Sequence, residues 1–505
     1  MNMLSITDTD MPTPCPAPFN MARYVLEAGT QTPDKIALQI VRATGAERWS
    51  YAGLIAAVRG TGQGFLNRGL KPGDRVLLRL GNSVDFPVAY LGALAAGLVP
   101  VPTSAQLTTP EVTRIAQQVT PALVIAAEGV ALPDHSAPVL HLAELKMMRD
   151  LPPCDWHMAP PDRAGYIIYT SGSGGSPRAV VHAHRAIWAR RMMWDGWYGL
   201  RADDRVLHAG AFNWTYTLGT GLMDPWAIGA TALIPEAGAP LALIMKRFDA
   251  TLFAAVPGVY RQLLKDGRKL DLPRLRHGLS AGEKLPDATR TAWHEATGTA
   301  IYEALGMSEC STYVSASPAR PAPAGTAGYA QRGRRLAVLG TDGQPVPRDH
   351  DGMLAIHRND PGLMLGYLDA DGLPQLPLTG EWFATGDNAR MSQDGAITYV
   401  GRDDDMMNAG GFRVSPLEVE RALAEHPGIM DIACTEIDVK PGVTIIAAFY
   451  TGAAPLPAAE LDAFAAARLA RYKQPREYHH CDSLPRGTNG KLSRRALRAS
   501  HKALT

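Results

Sequence analysis

A hydroxyl- and glycine-rich stretch at residues 169–178 holds the side chains best suited to chemistry. It reads Tyr-Thr-Ser-Gly-Ser-Gly-Gly-Ser-Pro-Arg and continues the apolar run 165–169. Glycines let backbone N–H groups approach an anion, hydroxyls add donors and Arg178 adds a fixed positive charge, so this stretch can enclose a polyphosphate. The pattern G-x-x-x-x-G-K-[ST] is absent from the sequence, which excludes a Walker A loop. A solvated surface loop is the alternative interpretation.

Four further segments also combine polar groups with glycine. They are Leu-Ser-Ala-Gly-Glu-Lys-Leu-Pro at 279–286, Tyr-Glu-Ala-Leu-Gly-Met-Ser-Glu at 302–309, Gly-Glu-Trp-Phe-Ala-Thr-Gly-Asp at 380–387 and Leu-Pro-Arg-Gly-Thr-Asn-Gly-Lys at 484–491. The first is a turn that lets a flat ring stack on bare backbone. The carboxylate of Asp387, which ends the third, can accept from both hydroxyls of a diol. Lys491 ends the last within a basic tail, which on charge alone indicates a solvated surface.

Together the five segments resemble, in the same order, the motifs of the acyl-adenylating superfamily. That group includes acyl-CoA synthetases, the adenylation domains of peptide synthetases and luciferases. All five occur in register over about three hundred residues, which makes the resemblance specific. Two departures stand in the phosphate loop: Arg178 replaces the commoner lysine but keeps the charge, and Ser173-Gly174 replaces Thr-Thr.

The resemblance implies a site for ATP and AMP built from the first four segments and from Arg402, which follows the fourth segment in the Gly401-Arg402 pair. The residues implied are Thr170, Ser171, Gly172, Ser173, Gly174, Gly175, Arg178, Gly282, Glu283, Lys284, Glu303, Ala304, Leu305, Gly306, Met307, Ser308, Asp387 and Arg402. Gly282, Glu283 and Lys284 would lie against the adenine. Asp387 and Arg402 would contact the ribose.

Three of the family's catalytic positions are matched by Lys491, Glu309 and Thr170. Glu309 would be the carboxylate linked to Mg²⁺, a cation that takes one or two carboxylates together with phosphate oxygens. Ser308 would donate to the α-phosphate. Lys491 would contact the substrate carboxylate and the α-phosphate as negative charge builds up, and removing such a donor typically costs about 10²–10³ in rate.

The resemblance also implies an α/β fold with two domains. Residues 1–401 would form a large N-terminal domain of helix-flanked, mostly parallel sheets, and residues 402–505 a small mobile α+β domain that swings about Asp404. In one position a carboxylate attacks the α-phosphorus of MgATP and pyrophosphate leaves. In the other, coenzyme A attacks the acyl-adenylate and AMP leaves, with Gly411 lining the pantetheine tunnel and Arg413 near the CoA nucleotide. The cofactors implied are ATP, Mg²⁺ and coenzyme A.

The acid itself is less clearly indicated by the sequence. The acyl pocket is predicted around Phe212, Asn213, Trp214, Ala281 and Gly306. Gly306 is expected to leave room where acetate-specific relatives carry a bulky aromatic residue. Aromatic walls suit a benzoate-like ring and a medium aliphatic chain equally well, and benzoate-type and medium-chain synthetases are the relatives that the local sequence resembles. Plain core packing is the alternative for these aromatic residues.

Composition limits the other classes of function. A net charge of +1 and a pI near 7.7 predict neither nucleic acid nor a membrane as partner. The partner that the resemblance implies is a small carboxylic acid. Five scattered cysteines without C-x-x-C spacing predict a reducing, cytoplasmic location and no zinc or disulfide framework. A homodimer remains an open alternative.

Apolar periodicity predicts alternating strands and helices, among them a strand at Ile36–Val41, a helix at Tyr51–Asn67 and a strand at 75–80. This alternation indicates parallel sheets flanked by helices. The apolar run 86–101 is too short and too punctuated by proline and glycine to cross a bilayer, so it predicts a buried helix leading into a buried strand. The C-terminal elements predicted are helices at 416–425 and 458–471 and strands at 429–435 and 444–450.

Three classes of function fit these residues. A stand-alone CoA ligase is the leading interpretation. An enzyme that loads its acyl group onto a carrier protein is the second; the lack of a carrier domain within this sequence and the match of Gly411 and Arg413 to the family's CoA positions are expected to count against it only weakly. A non-catalytic protein that binds acyl nucleotides is the third, and retention of both Lys491 and Glu309 argues against it.

Overall fold

The computed structural model describes residues 3–7, 12–170, 177–409, 412–440, 443–469, 471–487 and 492–504. Its helices are α1 (Met21–Glu27), α2 (Tyr51–Asn67), α3 (Asp85–Ala95), α4 (Thr109–Val119), α5 (Leu142–Met148), α6 (Ala186–Ala189), α7 (Arg191–Met193), α8 (Asp224–Ala227), α9 (Leu241–Arg247), α10 (Pro257–Leu264), α11 (Asp287–Thr297), α12 (Pro416–Leu423), α13 (Ala458–Ala466) and α14 (Arg494–Leu504). Among the described helices, none has both the length and the apolar content that a bilayer crossing requires.

The strands are shorter and more numerous than the helices. They are β1 (Ile36–Val41), β2 (Ala46–Ser50), β3 (Arg75–Arg79), β4 (Val99–Pro102), β5 (Leu123–Ala126), β6 (Val139–His141), β7 (Ala164–Thr170), β8 (Arg178–Ala183), β9 (Arg205–His208), β10 (Thr231–Pro235), β11 (Leu252–Ala255), β12 (His277–Ala281), β13 (Ile301–Met307), β14 (Ser311–Ser315), β15 (Gly328–Ala330), β16 (Leu336–Leu339), β17 (Asp351–His357), β18 (Gly366–Leu368), β19 (Pro374–Gln375), β20 (Trp382–Met391), β21 (Ala396–Arg402), β22 (Met407–Ala409), β23 (Phe412–Val414), β24 (Asp431–Lys440), β25 (Val443–Thr451) and β26 (Glu477–His480).

The chain forms two compact units. The larger unit comprises Thr7–Arg335 and Ile356–Phe383, and the smaller one comprises Met1–Ile6, Leu336–Ala355 and Ala384–Thr505. Strands β9 to β13 of the larger unit pair in parallel wherever they are neighbours, as do β3 to β6 in a separate sheet. The predicted α/β class with helix-flanked parallel sheets is therefore confirmed. The predicted division at 401/402 stays a prediction.

Local sequence explains where the elements of the larger unit begin. The side chain of Ser50 accepts a hydrogen bond from the Gly53 N–H and caps α2, and Thr108 forms a capping box with Glu111 at the start of α4. Every residue of α3 and β4 is buried, as predicted for the run 86–101. A strand buried on both faces reads as a continuous apolar run.

The smaller unit contains the strand order β16-β17-β20-β21 and a separate sheet of order β24-β25-β26. Strands β24 and β25 are longer than the sequence predicts and form an antiparallel pair from Asp431 to Thr451. Helix α13 ends at Ala466 rather than at residue 471, because residues 467–469 already turn into the following loop. Helix α12 likewise ends two residues before the predicted boundary.

Candidate active site

Strands β7 and β8 form an antiparallel hairpin that carries the two described ends of the predicted phosphate loop. Thr170 on β7 lies opposite Arg178 on β8. The hydroxyl of Thr170 is buried and has no hydrogen-bond partner among the described residues. A buried polar group without a partner is costly, so this hydroxyl is suited to a ligand.

Glu309 lies in the turn that joins β13 to β14, not at the start of a helix. Its carbonyl accepts from the Met364 N–H over 2.8 Å, which fixes the backbone of the turn. Its carboxylate Oε1 accepts from the Tyr367 hydroxyl over 2.7 Å, and Arg178 Nη2 lies 3.7 Å from the same oxygen. The Glu309 side chain is 6% exposed, so its charge lies at the edge of the protein interior.

Tyr367 brings Glu309 and Arg178 together. It lies on β18, opposite Val180 of β8, so the same short sheet carries Tyr367 and Arg178. The Arg178 guanidinium lies 4.0 Å above the Tyr367 ring. Because the Arg178 side chain is 49% exposed, its ion pair with Glu309 contributes little energy and its donors remain accessible. The motifs did not include Tyr367, and its neighbours carry no pattern that would identify it.

The position of Ser308 is fixed by a buried histidine. His182 Nε2 lies 2.7 Å from the Ser308 carbonyl oxygen, and the ring stacks on Tyr166 with centroids 4.8 Å apart. Burial lowers the pKa of His182 to about 4, so the imidazole is neutral at physiological pH and Nε2–H donates to the carbonyl. His182 is thus a positioning residue for the turn that carries Glu309.

The predicted adenine turn follows β12. Strand β12 ends at Ala281, and Gly282 has φ of +96°, a conformation that favours glycine. The side chain of Glu303 accepts from the Leu285 N–H over 2.8 Å and from Arg290 Nη2 over 3.0 Å. These bonds make Glu303 a support for the turn.

The segment predicted to line the acyl pocket runs from β9 into a π-helical stretch, Thr217–Met223. Phe212 is buried in the hydrophobic core, and its N–H donates to the Asn82 side chain over 3.0 Å. Asn213 and Trp214 are half-buried. The geometry therefore gives Phe212 a packing role and leaves Asn213 and Trp214 on the more accessible part of the segment.

Two other predicted pocket residues lie on neighbouring strands. Ala281 is buried at the end of β12, and Tyr216 donates from its hydroxyl to the Leu279 carbonyl over 3.0 Å. A Cβ at Gly306 would lie 2.6 Å from the Ser311 carbonyl oxygen. The absent side chain therefore permits close approach of β13 and β14 rather than opening space, which differs from the expectation that Gly306 makes room for the acid.

The buried ion pair between Arg190 and Asp224 lies at the end of the π-helical stretch Thr217–Met223 and fixes its position. Arg190 donates from Nε to Asp224 over 2.9 Å and from Nη2 over 2.6 Å, and the Tyr198 hydroxyl donates to the same carboxylate over 2.8 Å. A Cβ at Gly219 would lie 2.1 Å from the Arg190 guanidinium carbon. Only glycine allows the π-helical stretch to pack against this arginine.

In the smaller unit, β20 and β21 form an antiparallel pair in which Asp387 lies opposite Arg402. Arg402 Nη1 donates to Asp387 Oδ1 over 3.2 Å and to the Thr385 carbonyl over 3.3 Å. Gly386 has φ of +79°, and a Cβ there would lie 2.9 Å from Arg402 Nη2. The predicted ribose pair is thus a formed contact on a hairpin.

Several predicted residues lie outside the described parts of the chain. They are Ser171, Gly172, Ser173, Gly174, Gly175, Gly411 and Lys491, together with the side chains of Asp404 and Arg413. Glu303, Ala304, Leu305, Gly306 and Met307 form β13, which carries Ser308 and Glu309 at its end. Glu283 is half-buried and Lys284 is exposed.

The donor set around Glu309 fits a magnesium ion. Mg²⁺ prefers carboxylate oxygens, keeps several waters and takes the remaining ligands from phosphates. Glu309 offers a nearly buried carboxylate whose described hydrogen bond, from Tyr367, engages one oxygen. Thr170 and Arg178 add a hydroxyl and a guanidinium that suit phosphate oxygens.

Comparison with known proteins identifies the family of this chain. The AMP-binding enzyme model matches residues 25–368, and the model of the AMP-binding enzyme C-terminal domain matches residues 418–491. A benzoate–CoA ligase of Thauera aromatica is 30% identical over 94% of this chain and 92% of its own length. The human mitochondrial acyl-coenzyme A synthetase ACSM2A is 27% identical over 96% of this chain and 91% of its own.

A solved structure of a CoA ligase has the same fold as this chain. The benzoate CoA ligase from Burkholderia xenovorans LB400 superimposes with a TM-score of 0.84 at 27% identity, over 95% of this chain and all of that one. These matches confirm the family resemblance and the fold class that the five motifs predicted. They also confirm the predicted reaction class, which is that of an AMP-forming acyl-CoA ligase. The chain belongs to the AMP-binding enzyme family.

Proposed function

We propose that the protein converts a small aromatic carboxylate of the benzoate type to its CoA thioester through an acyl-adenylate. The observation that carries the proposal is the convergence of Arg178, Tyr367 and Glu309 beside the phosphate hairpin. The aromatic acid is supported by relatives named benzoate–CoA, 4-hydroxybenzoate–CoA/benzoate–CoA and 3-hydroxybenzoate–CoA ligases. Trp214 and Tyr216, both half-buried on the segment predicted to line the acyl pocket, provide flat apolar surface for such an acid.

In the first half-reaction the acid carboxylate attacks the α-phosphorus of ATP and pyrophosphate leaves. Arg178 and the hydroxyl of Thr170 bind phosphate oxygens, while the turn at 282–284 supports the adenine and Asp387 accepts from the ribose hydroxyls. Glu309 would hold Mg²⁺, which, when bound, neutralises charge on the phosphates. Lys491 stabilises the negative charge that develops between carboxylate and phosphate.

In the second half-reaction the thiol of coenzyme A attacks the acyl carbonyl and AMP leaves. Gly411 and Arg413 are proposed to contact coenzyme A, and rotation of residues 402–505 about Asp404 is proposed to separate the two steps. A cytoplasmic location and a homodimer stay predictions from the sequence.

A pyrophosphate-release assay with MgATP tests the proposal. Benzoates, phenylacetates, cinnamates and C4–C10 fatty acids are each run with and without coenzyme A, and the thioester is identified by mass. We expect CoA-dependent turnover with benzoate-type acids. Turnover confined to fatty acids would refute the aromatic substrate, whereas pyrophosphate release that coenzyme A does not accelerate would indicate a carrier-protein acceptor.

Replacing Lys491 by alanine separates catalysis from binding. Lys491→Ala should lower the rate of adenylation by about 10²–10³ and leave ATP affinity nearly unchanged. Unchanged turnover would contradict the role of this lysine.

A further inference from the structure

Three potential metal ligands meet on one face of the β24-β25-β26 sheet in the smaller unit. Glu477 and His479 are two residues apart on β26, so their side chains point to the same face of the sheet. His501 approaches from α14. One ligand atom from each of the three residues lies within 4.8 Å of the others.

The spacing of these atoms suits a single bound cation. Glu477 Oε2 lies 3.0 Å from His479 Nε2 and 3.9 Å from His501 Nε2. Ligands bound tetrahedrally to Zn²⁺ at about 2.0–2.2 Å lie about 3.4 Å apart. The two distances from Glu477 lie on either side of this value, so modest side-chain adjustments would bring the three ligand atoms to one metal.

The surroundings orient the two imidazoles. The ring of Phe449 on β25 stacks on His479, with centroids 4.8 Å apart, and lies 6.2 Å from the ring of His501. His501 is buried, whereas Glu477 and His479 are part-exposed, with side-chain exposures of 36% and 29%. The cluster therefore has an apolar floor and one side open to solvent, through which an ion can enter.

We propose that Glu477, His479 and His501 bind a divalent transition-metal cation of the Zn²⁺ type, with a fourth position left to water. Two imidazoles and one carboxylate are a known donor set for zinc, and imidazole favours such cations over Mg²⁺. The site uses none of the residues assigned to the nucleotide, the acid or the thiol. Its occupation would join α14 to the edge strand of the sheet.

The test uses the full-length protein without nucleotide. Wild-type protein should bind one equivalent of Zn²⁺ in a competition titration, and Co²⁺ should produce the intense visible absorption of four-coordinate cobalt. His479→Ala and His501→Ala should each weaken Zn²⁺ binding by about 100-fold or more. Because Zn²⁺ would bind the folded state, it should also raise the melting temperature of the wild type but not of these variants.

His480→Ala is the matched control. His480 is the next residue on β26, its side chain points to the opposite face and its Nε2 bonds the Gly452 carbonyl at 3.1 Å. Zn²⁺ affinity should not change in this variant. Glu477→Gln, which keeps the side-chain shape, guards against misfolding of the alanine variants and should also weaken binding. Absence of stoichiometric binding by the wild type, or binding that survives in His479→Ala and His501→Ala, would overturn the proposal.

Discussion

Replacing Tyr367 by phenylalanine removes one hydrogen-bond donor from Glu309 and leaves the aromatic ring. A hydrogen bond to a charged group contributes about 1.5–3 kcal/mol. The partial exposure of Tyr367 favours the lower value. Arg178 Nη2 lies 3.7 Å from Glu309 Oε1 and the arginine is half-exposed, so its attraction for the carboxylate replaces well under about 1 kcal/mol of the lost hydrogen bond. We therefore expect Tyr367→Phe to lower kcat/KM for pyrophosphate release by about tenfold.

The loss of kcat/KM in Tyr367→Phe should depend on the Mg²⁺ concentration. If Glu309 holds Mg²⁺, a less well oriented carboxylate should raise the Mg²⁺ concentration needed for half-maximal rate, while the KM of the acid changes little. Tyr367→Leu also removes the ring beneath Arg178. A cation–π contact at an exposed site contributes about 0.5–1 kcal/mol, so this variant should lose a further two- to fivefold.

The assay is initial-rate pyrophosphate release at several Mg²⁺ concentrations, with Tyr329→Phe as control. The Tyr329 ring lies 3.3 Å beneath Arg320, so the control makes the same change under a different arginine. Tyr329→Phe should behave as wild type. A Tyr367→Phe enzyme with wild-type kcat/KM and wild-type magnesium requirement would refute the assignment of Glu309.

Three further predictions concern the supports of the site. Arg190→Met leaves Asp224 buried without its charged partner and should lower the free energy of unfolding by about 3–5 kcal/mol, measured with urea; a loss smaller than about 1 kcal/mol would contradict the pairing. Glu303→Gln keeps an acceptor for the Leu285 N–H, so the KM for ATP should change by less than about fivefold, whereas a larger rise would indicate direct contact with nucleotide. Burial lowers the pKa of His208 from 6.5 to about 3, so unfolding binds a proton between these values and the free energy of unfolding falls as pH drops below 6.5. His208→Phe should make that pH dependence shallower without abolishing it, because burial also lowers the pKa of His182, His184 and His277. A pH profile of urea midpoints unchanged from the wild type would refute the contribution of His208.

The sequence predicted the framework of the site because its motifs coincide with local structure. The apolar run before the phosphate loop is β7, the turn after Ala281 begins at a glycine with positive φ, and Asp387 and Arg402, which the resemblance assigns to the ribose, lie opposite each other on paired strands. Each of these features depends on neighbours close in sequence. Periodicity and turn residues report such features directly.

Contacts between distant parts of the chain were not predictable. Tyr367 reaches Glu309 across 58 positions and His182 reaches Ser308 across 126, and neither pair leaves a pattern in the sequence. Gly306 illustrates the reverse problem. The sequence indicated that the missing side chain leaves room for the acid, but the backbone of β14 lies where a Cβ would be. The packing of β13 against β14 decides whether Gly306 leaves free space, and this packing cannot be read from a single sequence.

Comparison of two buried carboxylates in the larger unit explains why Glu309 is suited to a cation. Arg190 binds Asp224 through two nitrogens at 2.9 and 2.6 Å, so the charge of Asp224 is compensated inside the protein. The carboxylate of Glu309 accepts instead from the neutral hydroxyl of Tyr367, and Arg178 lies 3.7 Å away near solvent. A neutral donor fixes the orientation of a carboxylate without cancelling its charge. This arrangement suits the Mg²⁺ that we propose for Glu309, whereas a buried arginine in place of Tyr367 would compensate the carboxylate and oppose binding of the metal.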